Sequence, residues 1–355
     1  MSSRVSLRHT TLVAADRTDS LLRRLGVGRG DAAVARDLGD VRVLLFHKFG
    51  GAPGERGRGG AVNGPVAVRD FEAVLAFFSA RGYRFLLPRD LLRDAHLGGR
   101  SVIVTVDDGY ASFLRILPAL ERWNAPAALF VSAANVLRRT PFWSDVLVRG
   151  AAARGWSTGA TRALLHELLD APHDVAQARL AALFGADEAG RVDPEDRPLT
   201  GAELREIAAR PDVEIGNHAF HHVTLARRPE AYVRAELERS QAALAEMTGA
   251  RPTAIAYPNG RYTAELGALC RAYGFRTGFL SRPGHRVLGP AARWGSVVDL
   301  PRTEIRAELD PVSQAHAVEM PISAQRAAVA LRSRLVGARG RLRAATRARG
   351  TAAEG

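Results

Sequence analysis

Residues 102–110 read Val-Ile-Val-Thr-Val-Asp-Asp-Gly-Tyr, an apolar run that ends in two adjacent carboxylates and a glycine. The β-branched residues predict a buried strand, because they fit a pleated and packed surface. Asp107 and Asp108 repel each other, and burying a carboxylate is costly unless a cation lies nearby. The stretch predicts carboxylates at the mouth of a sheet, where parallel-sheet proteins bind ligands. A simpler interpretation is a turn in which Asp108 caps a helix that begins near Tyr110.

A second stretch, residues 213–222, reads Val-Glu-Ile-Gly-Asn-His-Ala-Phe-His-His, a short strand followed by three histidines. His218 and His222 are four positions apart, so they lie on one face if this segment forms a helical turn. Two imidazoles and one carboxylate form the protein ligands of a catalytic zinc-type site, which keeps one position open for water. Asp108 would complete this set, and Asp107 would remain as a base. A histidine pair alone would indicate a structural role, but together with Asp-Asp-Gly it indicates a metal site.

These two motifs resemble those of the polysaccharide deacetylase family, also called carbohydrate esterase family 4 or the NodB-homology domain. Residues 105–110, Thr-Val-Asp-Asp-Gly-Tyr, resemble its first motif. Residues 216–222 resemble its second motif, His-(Ser/Thr)-x-x-His, with Ala219 where the family prefers Ser or Thr. The resemblance extends from about Val41 to about Arg302. It implies an α/β fold, a distorted (β/α)7-type barrel with the site at the carboxyl ends of the strands.

The hydrophobic pattern and this resemblance together predict three parts of the chain. Residues 1–40 form an N-terminal extension, and residues 41–311 form the barrel. A helical insertion at 133–199 interrupts the barrel. Residues 312–355 form a basic amphipathic helix and a tail. Phe142 and Trp143 open the insertion, either as the buried start of a helix or as exposed rings that stack on sugars.

Further site residues follow from two more similarities. Residues 257–260, Tyr-Pro-Asn-Gly, resemble a Tyr-Pro-x-Gly form of the family's third motif, which implies that the backbone N–H of Asn259 stabilises an oxyanion. The same residues would form a simple turn in any protein. Residues 300–302, Leu-Pro-Arg, resemble a segment in which the arginine orients the base, so Arg302 is predicted to lie near Asp107 and keep it ionised.

The predicted proton donor is His47, which ends the apolar strand at residues 41–47. Its position resembles that of a histidine on the family's first strand. The family's late Leu-x-His motif is not evident in this sequence. His316, the other candidate, lies among helix-forming residues and has no apolar run to bring it to the strand ends.

The composition bears on partners and location. The 355 residues carry a formal net charge of +13, and 46% of them are hydrophobic, which is enough for a large core. The single cysteine, Cys270, excludes an internal disulfide and is expected in the core. We expect a cytoplasmic protein, because the first 40 residues lack the apolar core of a signal peptide and no run could span a bilayer.

Arginine supplies all of the basic charge after residue 324, and apolar residues there recur at helical spacing. This pattern predicts either peripheral attachment to an anionic membrane surface at the inner face or a terminal helix packed on the barrel, followed by a disordered tail. No nucleic-acid partner is expected, because no known nucleic-acid-binding motif is present.

The resemblance implies metal-dependent removal of acetyl groups from an N-acetylated sugar in a glycan, glycolipid or polysaccharide precursor. The implied cofactor is a divalent metal on Asp108, His218 and His222, with Zn²⁺ expected and Co²⁺ or Ni²⁺ as alternatives. No organic cofactor is implied. Two other functions remain open: hydrolysis of a non-sugar amide, and an inactive module that binds carbohydrate or membrane. The complete Asp-Asp and His-x-x-x-His set argues against the inactive module.

Overall fold

One sheet, curled into a half-barrel, organises the protein. The structure is a computed structural model, and it describes residues 39–50, 64–93, 99–288 and 297–320. The strands in this part of the chain are β1 (Gly39–Phe46), β2 (Arg84–Leu86), β3 (Gly99–Val106), β4 (Ala127–Val131), β5 (Val213–Asn217), β6 (Ala254–Ala256), β7 (Thr277–Phe279), β8 (His285–Leu288), β9 (Val297–Leu300) and β10 (Thr303–Glu304). Their order is β10-β1-β3-β4-β5-β6-β7-β9, with β2 beside β3 and β8 beside β1.

Helices surround the sheet. They are α1 (Val68–Ala80), α2 (Asp90–Arg93), α3 (Leu117–Trp123), α4 (Ala133–Arg138), α5 (Trp143–Ala153), α6 (Thr158–Leu169), α7 (His173–Phe184), α8 (Ala186–Gly190), α9 (Gly201–Ala208), α10 (Glu230–Thr248), α11 (Ala264–Ala272) and α12 (Pro311–Glu319). Short 3₁₀ turns cover Ala111–Ile116, Leu225–Arg227 and Pro258–Gly260. The predicted α/β architecture is therefore confirmed.

Each central strand is buried on both faces, which explains why the strands are continuous apolar runs rather than alternating ones. Val41 and Val43 of β1 pack inside the curl with Ile103 of β3. Leu44 and Val104 pack on the outside, against the surrounding helices. Since alternate residues of a strand share a face, Asp107 continues the inner row of β3. Every pairing along the path is parallel, and among the described strands β8 alone runs antiparallel, to β1.

Five helices, α4 to α8, follow one another between β4 and the segment that precedes α9. Residues 143–189 contain a hydrophobic cluster of their own, formed by side chains such as Val146, Leu147 and Leu180. The division of the chain into domains stays a prediction. Phe142 and Trp143 are buried at the start of α5, so the prediction of a buried helix start fits and exposed stacking rings do not.

The ends of the chain carry predictions that the structure does not address. Residues 1–38 and 321–355 lie outside the described residues, and with them the extension, the arginine-rich tail and its membrane contact. Helix α12, which precedes that tail, packs on α1, where the ring of His316 meets the ring of Phe77 edge-on at 4.6 Å between centroids. Among the described helices, none combines the length and apolar character needed to cross a bilayer.

The packing of β4 against β5 gives a test of the fold. Gly216 pairs with Phe130, and a Cβ added at Gly216 would overlap the Phe130 ring. Phe130 is fully buried, so the ring has little room to move. Gly216→Ala should lower the free energy of unfolding by about 1–3 kcal/mol, the usual cost of overpacking. Urea denaturation would measure this.

The matched control is Gly159→Ala in α6, where an added Cβ meets only the Ser157 hydroxyl, at 3.7 Å. This change should be neutral or stabilising, because alanine favours helix over glycine by about 0.5–1 kcal/mol. Equal urea midpoints for Gly216→Ala and the wild type would contradict the described packing of Phe130.

Candidate active site

Side chains from four places in the sequence meet at the carboxyl ends of the parallel strands. Asp107 and Asp108 follow β3, His218 follows β5 and His47 follows β1. Arg302 lies between β9 and β10. Parallel strands present their carboxyl ends at one edge, so residues far apart in sequence become neighbours there.

Asp108, His218 and His222 form a compact cluster of metal-ligating groups. The Nε2 atoms of His218 and His222 lie 3.4 Å and 3.1 Å from Oδ1 of Asp108. One ligand atom from each residue fits within 4.8 Å of the others. The structure thus brings together the three residues that the sequence predicted as ligands.

The donor atoms of this cluster fit a divalent metal. Oδ1 of Asp108 is buried and has no hydrogen-bond partner, although the Nε2 atoms of His218 and His222 both lie nearby. A buried carboxylate oxygen without a partner is costly, so it calls for a ligand. Nδ1 of His218 lies 2.8 Å from the carbonyl oxygen of Ala256. That contact assigns the proton to Nδ1 and leaves the Nε2 lone pair facing Asp108. Two imidazoles and a carboxylate suit zinc.

The loop after β5 is not helical, so the helical turn that would place both histidines on one face does not form. Ala219 and His222 both have left-handed backbone conformations, with φ of 62° and 55°. These two reversals, rather than a shared helix face, bring the rings of His218 and His222 to 4.9 Å between centroids. Oδ1 of Asn217 helps by accepting a hydrogen bond from the Ala219 amide at 2.8 Å.

Asp108 is also left-handed, with φ of 79°, an unfavourable conformation for a residue with a side chain. Its backbone carbonyl accepts a hydrogen bond from the Ser132 amide at 3.0 Å. The alternative in which Asp108 caps a helix is wrong, because Tyr110 is the N-cap of the following 3₁₀ helix and no side chain caps it. In this strained turn the Asp108 carboxylate points toward His218 and His222.

A buried ion pair holds the other carboxylate. Nη1 and Nη2 of Arg302 donate to Oδ1 and Oδ2 of Asp107 at 2.7 Å and 2.6 Å. Arg302 is fully buried and also donates to the carbonyl of Leu280 and the hydroxyl of Thr105. The structure places Arg302 beside Asp107, as the sequence predicted, while its part in a reaction stays a prediction.

The charges at the site shift the pKa values of the carboxyl groups downward. Burial alone would raise the pKa of Asp107, but the Arg302 guanidinium and the nearby rings of His218 and His47 together lower this pKa. Burial would likewise raise the pKa of Asp108, but His222 and His218 hold it well below its usual range. Both carboxylates are therefore ionised at neutral pH. Burial lowers the pKa of His222, yet the facing Asp108 more than compensates and raises it.

The remaining predicted residues occupy different places. His47 lies at the rim of the sheet, with Nδ1 at 3.7 Å from Oε1 of Glu304. His316 lies on α12, against Phe77 and away from the strand ends, so the structure brings His47 and not His316 to the cluster.

Asn259 follows β6 in the 3₁₀ turn, with a left-handed φ of 60°. Its side-chain Nδ2 donates to the Thr224 hydroxyl at 2.8 Å. The simple turn interpretation is compatible with the same geometry.

Sequence reasoning missed Glu236, which binds the loop between His218 and His222. Oε2 of Glu236 accepts hydrogen bonds from the backbone N–H groups of Phe220 and His221, at 3.1 Å and 2.9 Å. Oε1 lies 2.7 Å from Nδ1 of His221. Glu236 is only 3% exposed. A signal was present, because position 236 belongs to the buried stripe of α10 with Val233 and Ser240, where an acid is unusual.

A buried lysine next to His47 was also missed. Nζ of Lys48 donates to Asp145 at 2.5 Å and to Asp196 at 2.8 Å. The Tyr110 hydroxyl donates to the second oxygen of Asp145 at 2.7 Å. Burial alone would lower the pKa of Lys48, but the two carboxylates more than compensate and raise it. This cluster ties the start of α5 to the turn that carries Asp108.

Comparison with known proteins agrees with this geometry. The sequence profile described as "Polysaccharide deacetylase" matches residues 94–278, just over half of the chain. The chain is similar in structure to a polysaccharide deacetylase from Bacillus cereus, at 16% identity and a TM-score of 0.54, over 79% of this chain and 69% of that chain. Comparison with curated protein sequences gives no significant match.

Two further solved structures share the fold. The deacetylase PplD of Streptococcus pyogenes, solved in complex with acetate, is 18% identical with a TM-score of 0.54, over 80% of this chain and 100% of that chain. IcaB from Ammonifex degensii is 20% identical with a TM-score of 0.51, over 78% and 96% of the two chains. At these identities the likeness shows the fold.

The position of Glu236 generates a test of the metal site. Glu236→Gln would place an amide N–H₂ opposite groups that are themselves donors, so the loop with His218 and His222 should loosen. We expect zinc affinity to fall by about 10–100-fold, as is usual when a group that supports a metal ligand is changed. Isothermal titration calorimetry of the metal-free protein with Zn²⁺ would measure it.

The matched control is Glu238→Gln, an exposed position on the same helix, which should bind zinc like the wild type. Unchanged zinc affinity in Glu236→Gln would show that the histidine loop does not depend on this carboxylate.

Proposed function

The chain belongs to the polysaccharide deacetylase family, and from this premise we propose that it removes the acetyl group from an N-acetylated sugar by metal-dependent hydrolysis. The observation that carries the proposal is that two adjacent carboxylates have different partners. Asp107 is paired on both oxygens by Arg302, whereas Asp108 faces two imidazoles with an unpartnered oxygen. One carboxylate is thus arranged as a base and the other as a ligand.

The residues that would hold the metal are Asp108, His218 and His222, with zinc as the first choice and cobalt or nickel as alternatives. A divalent ion there would act as a Lewis acid, which activates water at neutral pH and polarises a carbonyl group. We propose that the acetamide of the sugar is held with its carbonyl carbon facing Asp107.

Asp107 then takes a proton from the attacking water on one of its carboxylate oxygens. Arg302 serves this step in two ways, since it keeps Asp107 ionised in a buried place and fixes the plane of the carboxylate. Each oxygen of Asp107 retains a second lone pair beyond the one that Arg302 uses. The backbone N–H of Asn259 would donate to the substrate oxygen as negative charge develops on it.

The leaving amine must be protonated before the C–N bond can break, and His47 is the proposed donor. It stands at the rim with Asp107, so an acid and a base would act on opposite sides of the same carbon. The products are acetate and a free amino sugar. The proposed substrate is an N-acetylated sugar within a glycan, glycolipid or polysaccharide precursor.

The test of this function is incubation of the purified, zinc-loaded protein with a panel of N-acetylated sugars, with acetate and free amine measured together. Asp107→Asn should keep about one zinc per chain and lose turnover by roughly 10²–10⁴-fold, the usual contribution of a general base. Asp108→Ala should lose the zinc itself, because it removes a ligand.

Circular dichroism must show that Asp107→Asn is folded, since it leaves Arg302 buried without a counter-charge. Loss of zinc from a folded Asp107→Asn variant would contradict the assigned roles. Failure of the wild-type protein to release acetate from any member of the panel would contradict the function.

The proton donor has its own test. His47→Ala should lower kcat by about 10²–10⁴-fold with zinc content unchanged. His316→Ala is the control and should retain wild-type kcat, because that ring packs on Phe77. The reverse pattern of kcat values would mean that the chain supplies its acid from the late position.

A further inference from the structure

The short strand β10 places a second charged group at the rim, beside the proposed proton donor. β10 pairs with β1 in parallel, with Glu304 opposite Leu45. His47 lies two residues beyond Leu45, so the two side chains project on the same side of the sheet. Oε1 of Glu304 lies 3.7 Å from Nδ1 of His47, and Oε2 accepts a hydrogen bond from Arg306 at 2.8 Å.

One extended segment thus serves both members of the acid–base pair. Arg302 and Glu304 are two residues apart, so they project to the same side of the chain. Arg302 reaches Asp107, the proposed base, and Glu304 reaches His47, the proposed acid. A cation beside the base and an anion beside the acid are the partners that each role requires.

We propose that Glu304 is a positioning residue that orients His47 for proton transfer to the leaving amine. The inference rests on the proposed function and adds a residue to it. A carboxylate at Nδ1 fixes the ring and leaves Nε2 to face the substrate, which is how carboxylates orient catalytic histidines in other hydrolases. The 3.7 Å separation suits a site without substrate, because such contacts are often long until the substrate binds.

Proton transfer from His47 to the leaving amine needs no further reactant. The proton on Nε2 of His47 moves to the leaving nitrogen as the C–N bond breaks and its electron pair goes to that nitrogen. His47 is left neutral, and Glu304 remains a carboxylate throughout. His47 regains its proton from solvent, which reaches part of its side chain.

A structural role for Glu304 would be weak. Its side chain is 25% exposed, and that of its other partner, Arg306, is 62% exposed. Ion pairs at such exposure add little to stability, because water and salt screen them. Loss of the Glu304 charge should therefore leave the fold intact, so a kinetic effect can be attributed to His47.

The experiment compares two substrates with the full-length, zinc-loaded protein. One is an N-acetylglucosamine oligomer, whose amine must be protonated to leave, and the other is 4-nitrophenyl acetate, whose phenolate leaves without a proton. Glu304→Gln should lower kcat on the sugar roughly 10-fold or more, with KM and zinc content unchanged. Hydrolysis of 4-nitrophenyl acetate should stay within about twofold of the wild type.

Two comparisons complete the test. Glu308→Gln, an exposed acid four residues further on, should match the wild type on both substrates. The double variant His47→Ala with Glu304→Gln should be no slower on the sugar than His47→Ala alone, because Glu304 acts through that histidine.

These measurements test the role of Glu304 separately from the deacetylase activity. Wild-type kcat on the sugar in Glu304→Gln, or additive losses in the double variant, would overturn the role of Glu304 and leave the deacetylase proposal standing. Absence of acetate release by the wild-type protein would overturn both.

Discussion

The buried ion pair between Asp107 and Arg302 is the interaction on which the site depends. Two adjacent carboxylates at the end of a buried strand repel each other and lose their hydration, so each needs a cationic partner within the protein. Arg302 meets this need for Asp107 with two parallel hydrogen bonds, and the imidazoles of His218 and His222 face Asp108. Because the arginine is fully enclosed, neither member of the pair can be removed without leaving an uncompensated charge.

Support for the site comes from side chains that never face its centre. Glu236, on helix α10, binds the loop between the two histidines. Lys48 and Tyr110 both bind Asp145, which connects the ends of β1 and β3 to the start of α5. Glu236 and Lys48 are buried charges with partners on other elements, so each fixes a loop whose backbone would otherwise be free. The left-handed residues at Asp108, Ala219 and His222 can persist because these contacts hold the turns from outside.

The sequence predicted the features that depend on local pattern. The strands predicted at residues 41–47 and 102–106 correspond to β1 (Gly39–Phe46) and β3 (Gly99–Val106), because apolar runs bounded by turn residues specify them. The grouping of Asp108 with two histidines was predicted from their positions at strand ends. The shape of the histidine loop was not, since its left-handed turns are stabilised by Glu236 from a distant helix. Lys48 was missed for a similar reason, as its partners Asp145 and Asp196 are 97 and 148 residues away.

The place of β10 in the chain has a consequence for biosynthesis. Asp107 and Arg302 are separated by 195 positions, and β10 is the last strand among the described residues. At a translation rate of about 5–20 residues per second, Asp107 is made roughly 10–40 s before Arg302. During that interval the paired aspartates have no guanidinium, so the cost of dehydrating them opposes early burial of the end of β3. The nascent chain can form its first strands, but the half-barrel closes around the aspartates only when the segment that carries Arg302 has been made.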